Sequence, residues 1–340
     1  MAHARVRLLL LVTLTFVLTG LFYPLLCKLY LLLRLPFVWK ASSVNAVISS
    51  HHDNFDLTFS AYDSNYTVDP ALVPAILHHV HLGPDPPRAE WLTARDACLR
   101  QHPTWETYLW TDHNASRFVQ NHYPHYLTMW ESYPHLVQRV DALRYMILHV
   151  YGGAILDFDL ACKRPLDPLR QFAFVAPAAN PVGISIGMML ASPNNPYVGD
   201  LVHNLPKFNR RWSLLPYITV MFSTGCHYAS TIYTLQPNPS PLRILSGPPS
   251  NPKLHMLNGY VDTPLFRHLG SSSWHQKDAR VIKAFANVDQ RLSFAAILVV
   301  LGGICWVSVM GVSRARTRVC GRDAELGGSM EEASGEWKRV

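Results

Sequence analysis

The sequence predicts an α/β domain held between two membrane-spanning helices, and three observations predict it. Strand-like and helix-like stretches alternate through the middle of the chain. Two uncharged hydrophobic runs flank that middle. Charged residues make up only 16% of the 340 residues, against roughly 25% in a usual soluble globular chain. With 49% apolar residues, that deficit excludes intrinsic disorder and speaks against a cytosolic protein. The formal net charge of +7 comes without a dense Lys/Arg stripe or a zinc or RNA-binding signature, so no nucleic-acid partner is expected.

The first run, Leu8 to Cys27, has no charged residue and at 1.5 Å per residue is long enough for a hydrocarbon core of about 30 Å. Arg5 and Arg7 precede it, and Lys28, Arg34 and Lys40 follow. A cleaved signal usually has a shorter core and a small-residue cleavage site. Neither is evident, so a retained signal anchor over residues 8–33 is expected, with a cleaved signal as the alternative. The second run, Phe294 to Val312, is also uncharged, and Arg314, Arg316, Arg318 and Arg322 follow it. Such a cluster marks a cytoplasmic flank; a buried core helix is the alternative. Two spans put both tails, 1–7 and 313–340, in the cytoplasm, with a polar stem at 34–71 and a domain at 72–290 in the lumen. The sequons Asn65-Tyr66-Thr67 and Asn114-Ala115-Ser116 suit that placement. Cys98, Cys162 and Cys226 are the cysteines between the runs, an odd number that leaves at least one unpaired.

Leu72 to His81 reads as a first strand, stopped by Gly83-Pro84. Ala89 to Gln101 reads as a helix whose buried candidates are Trp91, Leu92, Cys98 and Leu99, at i, i+7 spacing. Trp105 to Trp110 is rich in β-formers and ends at Thr111-Asp112. Pro124 and Pro134 break the helical stretches that follow. Leu136 to Tyr151 is the clearest helix, with Leu136, Val140, Leu143 and Ile147 on one stripe. Gly152-Gly153 closes it through left-handed backbone angles, and Ala154-Ile155-Leu156 is then a short buried strand.

That strand ends in Asp157-Phe158-Asp159. Carboxylates one residue apart at a strand end can share a cation while the side chain between them points away. Mn²⁺ or Mg²⁺ takes such oxygen ligands, with diphosphate oxygens filling the shell, and neutralises charge on a departing nucleoside diphosphate. Asp141 and Arg144 lie three apart on the preceding helix and share a face. They offer a guanidinium for phosphate or sugar oxygens and a carboxylate for hydroxyls, although such a pair is also an ordinary surface ion pair. Lys207, Arg210 and Arg211 suit a phosphate or a solvated helix face, and His51-His52-Asp53 reads as solvated.

Arg139-Val140-Asp141-Ala142-Leu143-Arg144-Tyr145, followed by Tyr151-Gly152-Gly153-Ala154-Ile155-Leu156-Asp157-Phe158-Asp159, resembles the signature of the DXD-containing glycosyltransferases, glycosyltransferase family 32. Val73 to His78, Pro103-Thr104-Trp105 with Leu109 to Asp112, and Phe222 to Gly225 resemble further family blocks. Phe266-Arg267-His268, Ser272-Ser273-Trp274-His275 and Asp278 resemble the C-terminal block of its fungal inositol phosphorylceramide mannosyltransferases. Two positions depart from the pattern: Ile155 stands where an aromatic is usual, and His81 where a tryptophan is.

The resemblance implies a GT-A-like nucleotide-sugar-binding fold, GDP-mannose as donor, retention of anomeric configuration, and a divalent metal, Mn²⁺ before Mg²⁺. It gives Asp157, Asp159 and Arg144 catalytic roles, and Asp141, Arg144 and Asp157 donor contacts. Asp157 and Asp159 would hold the metal, with His268 and His275 completing its shell. Trp274 would stack on a sugar or be core; Thr224 would meet acceptor or donor or be a plain turn. The implied acceptor is inositol phosphorylceramide, in the Golgi membrane or alternatively the endoplasmic reticulum, with a separate membrane regulatory subunit as partner. A Golgi α-1,6-mannosyltransferase acting on N-glycans and a non-catalytic transferase subunit are the rival expectations.

Overall fold

The computed structural model describes residues 2–63, 66–212 and 215–270. Asn65, Trp274, His275, the run 294–312 and the tail 313–340 lie outside the described residues. The chain opens with α1 (Ala2–Leu33), which carries Pro24 inside it, and continues after Arg34 into α2 (Leu35–Ser43) with a proline in its first turn. Gly20–Leu33 and Leu35–Ser43 meet at 53°. Among the described residues no single helix is long and apolar enough to cross a membrane, whereas this bent pair is, by length and composition. Phe16, Leu21, Tyr23 and Tyr30 on α1 are exposed.

The domain then runs β1 (Ile76–Val80), α3 (Ala89–Gln101), β2 (Glu106–Trp110), α4 (Asp112–His122), α5 (Leu127–Glu131), α6 (Leu136–Tyr151) and β3 (Gly153–Leu156). It continues with β4 (Leu160–Cys162), β5 (Phe174–Pro177), β6 (Met188–Ala191), α7 (Pro196–Phe208), α8 (Pro216–Ser223) and α9 (Cys226–Tyr233). The last described strands are β7 (Leu242–Leu245), β8 (Tyr260–Asp262) and β9 (Phe266–Leu269). Six strands form one sheet in the order β2-β1-β3-β6-β5-β7, and β4-β9-β8 form a small second sheet. β1 pairs in parallel with β2 and β3, and β5 with β7, while β6 runs antiparallel between β3 and β5. The expected α/β order is therefore present, with a mixed, parallel-rich sheet.

β3 is buried on both faces, and its side chains alternate between two cores. Ile155 joins Tyr145, Met189 and Tyr197 under the helices, while Ala154 and Leu156 join Leu77, Leu190 and Leu245 on the other face. Ile155 thus fills helix-side core at the position where the family pattern has an aromatic. Gly152 and Gly153 have φ of 66° and 90°. A Cβ at Gly153 would lie 2.6 Å from the Ile76 carbonyl oxygen, so this turn admits only glycine.

Several expectations shift in detail. The first strand shortens to β1 because the Leu72 and Val73 N–H groups donate to the Arg170 carbonyl, outside the ladder. α3 buries Ala94 and Cys98, while Leu92 is exposed and Trp91 and Leu99 are half-buried, because the helix packs along a narrow seam against β4. On α6, Leu143 and Ile147 are buried but Leu136 is 42% exposed. Its residues from Asp141 to Leu148 are buried all round, since α4, α5, α7 and α8 all pack on it. Cys98 and Cys162 form a disulfide across 64 residues, tying α3 to β4 and leaving Cys226 free.

The expected polar stem is instead largely folded onto the domain. Val47 bridges to Ile244 on β7, and Ile48, Phe55, Leu57 and Phe59 are buried. Asp53, expected in solvent, ion-pairs with Arg243 and accepts the Ser49 N–H at 2.7 Å. The aromatic residues in 55–62 supply the apolar surface that composition alone does not reveal. Asn114 is exposed, but its side chain accepts the Thr111 N–H at 2.6 Å and donates to the Leu109 carbonyl at 2.8 Å, so the sequon asparagine is also the third residue of the α4 capping box, with Thr111 as the cap.

Candidate active site

The parallel strand β3 delivers Asp157 to the rim of a cavity of about 360 Å³. The Asp157 N–H donates to the Gly187 carbonyl at 2.8 Å, and the Leu160 N–H to the Asp157 carbonyl at 3.1 Å. The acidic triplet is thereby a tight turn between the two sheets. The Leu269 N–H then donates to the Asp159 carbonyl at 2.9 Å, and the β4–β9 ladder sets His268 opposite Leu160. That register brings His268 Nε2 to 3.2 Å from Asp159 Oδ2. Two residues 109 positions apart in sequence meet because β9 closes on the strand that leaves the triplet.

Behind the turn, α6 presents Asp141 and Arg144. The Arg144 guanidinium ion-pairs with Asp157, lies 3.4 Å from Asp141 Oδ1, and approaches the Ile186 carbonyl at 3.5 Å. Asp141 Oδ2 accepts the Thr224 hydroxyl at 3.1 Å. Thr224, expected at a sugar or acceptor, is fully buried and reaches the cavity only through that carboxylate. The Tyr145 hydroxyl donates to the Thr224 carbonyl, and Gln138 Nε2 donates to Ser223 Oγ at 2.6 Å. The α8–α9 turn is thus locked onto α6. At the mouth, Asp112 accepts the Gly83 N–H at 2.6 Å and pairs with Arg139 at 3.3 Å. Those contacts anchor the loop after β1, which carries His81 into the cavity wall beside Phe158, at a ring separation of 5.5 Å.

The electrostatics of the cavity are unbalanced toward acid. Burial pushes Asp141 up to about 6, against the opposing pull of Arg144 and the Thr224 hydroxyl. Asp157 also stands above the ordinary carboxylate range; burial is the first cause and outweighs the pull of Arg144, and repulsion from Asp159 and Asp141 adds to it. Burial works against charge on Arg144, but Asp157 and Asp141 outweigh it and hold the guanidinium protonated. Burial likewise opposes charge on His268, and its hydrogen bond to Asp159 with the field of both carboxylates raises it above the usual imidazole value.

Three carboxylates around one guanidinium and one imidazole form a donor set that fits a hard divalent cation. Asp157 and Asp159 supply oxygens from one turn, and His268 adds a nitrogen beside Asp159. Among the described residues no three His, Cys, Asp or Glu side chains are grouped to hold an ion by themselves. A cation here would be bound through one or two of these carboxylates and completed by substrate phosphates. The described structure thus brings Asp141, Arg144, Asp157, Asp159 and His268 together and sets Thr224 one layer back; Trp274 and His275 lie outside it.

Two cavity residues escape sequence reading. A Cβ at Gly187 would lie 2.6 Å from Asp157 Oδ2, so the glycine is what allows β6 to approach the acid turn. Cys226 lines the cavity as a half-buried thiol pushed up to about 11, chiefly by desolvation. Neither sits in a local pattern; only the antiparallel pairing of β6 with β3 and the α8–α9 turn place them there.

An acid pair at the end of a central strand, backed by a buried Asp–Arg pair on the preceding helix, defines the site of a DXD-type glycosyltransferase. Residues 88–175 match the family described as "Glycosyltransferase sugar-binding region containing DXD motif". The chain is 35% identical over 233 residues to "Inositol phosphoceramide mannosyltransferase 1" of Schizosaccharomyces pombe, covering 66% of this chain and 70% of that one. It is 34% identical over 223 residues to "Mannosyl phosphorylinositol ceramide synthase SUR1" of Saccharomyces cerevisiae, covering 64% and 56%. "Inositol phosphoceramide mannosyltransferase 3" of S. pombe is 37% identical over 169 residues, 50% of this chain and 47% of that one. Among solved structures, the PaToxG glycosyltransferase shares 14% identity with a TM-score of 0.37, over 48% of this chain and 70% of that one. The chain belongs to the DXD-containing glycosyltransferase family that includes the fungal inositol phosphoceramide mannosyltransferases.

Proposed function

We propose that the protein transfers mannose from GDP-mannose to inositol phosphorylceramide, with retention of anomeric configuration. The observation that carries this reading is the convergence of Asp141, Arg144, Asp157 and Asp159 on one cavity, with His268 paired to Asp159, in a chain 35% identical to a named inositol phosphoceramide mannosyltransferase. Asp157 and Asp159, with His268, would hold a divalent cation, Mn²⁺ before Mg²⁺, whose charge would offset that of the diphosphate; His275, the other expected ligand, lies outside the described residues. Arg144 donates N–H groups to the same diphosphate, the electrostatic contribution that matters most as negative charge develops there. Asp141 accepts from sugar hydroxyls, fixed for that task by Thr224 and Arg144. The bond from mannose C1 to the acceptor oxygen forms, the bond from C1 to the β-phosphate oxygen breaks, and the acceptor proton passes to that released oxygen.

The bent pair α1–α2 and the run 294–312 hold the domain at the luminal face of the Golgi membrane, with both termini cytoplasmic and a membrane regulatory subunit as partner. What supports the anchor is the exposed apolar surface of α1 and its docking to the domain, where His227 Nε2 lies 2.6 Å from the Leu32 carbonyl oxygen. The test incubates membranes carrying the full chain with GDP-mannose, inositol phosphorylceramide and Mn²⁺, beside an Asp159→Ala chain. Mannosylated lipid from the parent alone is expected. Metal-dependent sugar transfer to glycan with none to lipid would retain the transferase and discard the sphingolipid acceptor.

A further inference from the structure

A second cavity, of about 230 Å³, lies between the last turns of α1 and the segment joining α7 to α8. Leu21, Leu25, Lys28 and Leu32 reach it from α1 at helical spacings of three and four, so one stripe of that helix forms a wall. Phe208 and Phe222 supply apolar surface from the domain side. Lys207, at the end of α7, and Arg210 bring positive charge to the same space as Lys28. Arg210 lies over the Trp212 ring at 5.4 Å, and Lys207 Nζ donates to Asn204 Oδ1 at 3.1 Å. No Asp or Glu lines the cavity among the described residues.

This pairing of surfaces narrows the ligand. A free anion does not need a leucine and phenylalanine wall, and a neutral apolar ligand does not need three cations. Lys28 also follows a long uncharged run of α1, where a lysine is costly in a bilayer without an anionic or aqueous partner. The wall continues along α1 into exposed Val17 and Leu14, four and seven residues before Leu21, an apolar track leading away from the cations. We propose that this cavity binds the phosphate-bearing headgroup of a membrane lipid, whose acyl chains lie along α1. The site is separate from the acid cavity yet adjoins it. Met221 and Phe222 are neighbours on α8, the first facing the acid cavity and the second this one. A bound headgroup therefore stands one helix away from Asp141 and Asp157.

The experiment is native mass spectrometry of the full chain in detergent, with phosphatidylinositol, diacylglycerol of the same acyl composition, and inorganic phosphate as probes. The parent is expected to retain phosphatidylinositol and not diacylglycerol, and millimolar inorganic phosphate should not displace the lipid. Lys207→Gln/Arg210→Gln should weaken retention about thirtyfold and Lys28→Gln about fivefold. Asp159→Ala should retain lipid like the parent, which separates this site from donor chemistry. If the double variant melts earlier than the parent, Lys28→Gln, on the other wall, decides. Equal retention of diacylglycerol, complete displacement by inorganic phosphate, or parent-like retention by the variants would each overturn the proposal.

Discussion

The two cavities on either side of α8 have opposite chemistry, and they are built differently. The acid cavity takes its carboxylates from short side chains in the turn after β3 and on α6, held by backbone bonds, buried hydrogen bonds and the Arg144 guanidinium. The basic cavity takes its charges from long lysine and arginine stems at helix ends. Short acids fixed in this way hold a ligand in one orientation, the requirement of bond-making at a sugar carbon. Long flexible cations tolerate a range of headgroup positions. The difference assigns chemistry to one side of the helix and lipid capture to the other.

The largest effect should come from breaking the acid side. Asp159→Ala or Asp157→Ala should lower transfer about a thousandfold, as loss of a principal electrostatic group does, and chelation should do the same to the parent until Mn²⁺ is restored. Steady-state rates on GDP-mannose check this. Variants within a few-fold of the parent would remove the acid cavity from the reaction. Arg144→Lys comes next. It keeps the charge but loses the fork that meets Asp157 and Asp141 together, so kcat should fall about a hundredfold, with a smaller change in donor KM.

These charged groups were legible in the sequence because the spacings that bring them together are local. Asp141 and Arg144 share a helix face at i, i+3, and Asp157 and Asp159 sit two apart at a strand end. α3 and α6 fall on the residues that periodicity marks. What escaped is non-local. The insertion of antiparallel β6, the closure of β9 on β4 and the folding of residues 47–62 onto β7 depend on pairings across tens to nearly two hundred residues. Family likeness pointed to His268, but only the β4–β9 register says that it meets Asp159. Gly187 had no signal at all, since its role is the absence of a Cβ against Asp157.

The frame behind the acid side has its own vulnerability. His78 and His79 on β1 are fully buried, and burial drives them down to about 4 and about 3. His78 Nε2 lies 3.0 Å from the Gly152 carbonyl oxygen, whereas neither ring nitrogen of His79 has a hydrogen-bond partner among the described residues. Both imidazoles are neutral in the fold and take up protons on unfolding. Their contribution is therefore complete above the unfolded value near 6.5 and is lost as pH falls through it toward the folded values. Urea midpoints measured between pH 7.5 and 5 should show about 2 kcal/mol of destabilisation per histidine. An acid slope unchanged in His79→Asn would refute this account of the strand.

Gly187→Ala should cost about tenfold in kcat, because a methyl group in the space of Asp157 Oδ2 pushes the carboxylate off its position. The melting temperature should move little if the carboxylate alone gives way, and a collapse in stability would mean that β6 has shifted instead.

The smallest effect tests how Asp141 is held. Thr224→Val removes the hydroxyl at 3.1 Å from Asp141 Oδ2 but keeps the shape of a fully buried side chain. The carboxylate then keeps only Arg144 and loses its orientation toward the cavity. Leaving a buried charged acceptor one donor short costs on the order of 1 kcal/mol or more, so donor KM should rise roughly fivefold with kcat nearly unchanged. Thr224→Ser, which restores the hydroxyl, should recover donor affinity. A Thr224 that touched the acceptor directly would instead raise the lipid KM and spare that of GDP-mannose. The two KM values, measured on one variant, therefore decide whether this residue positions the acid or meets the lipid.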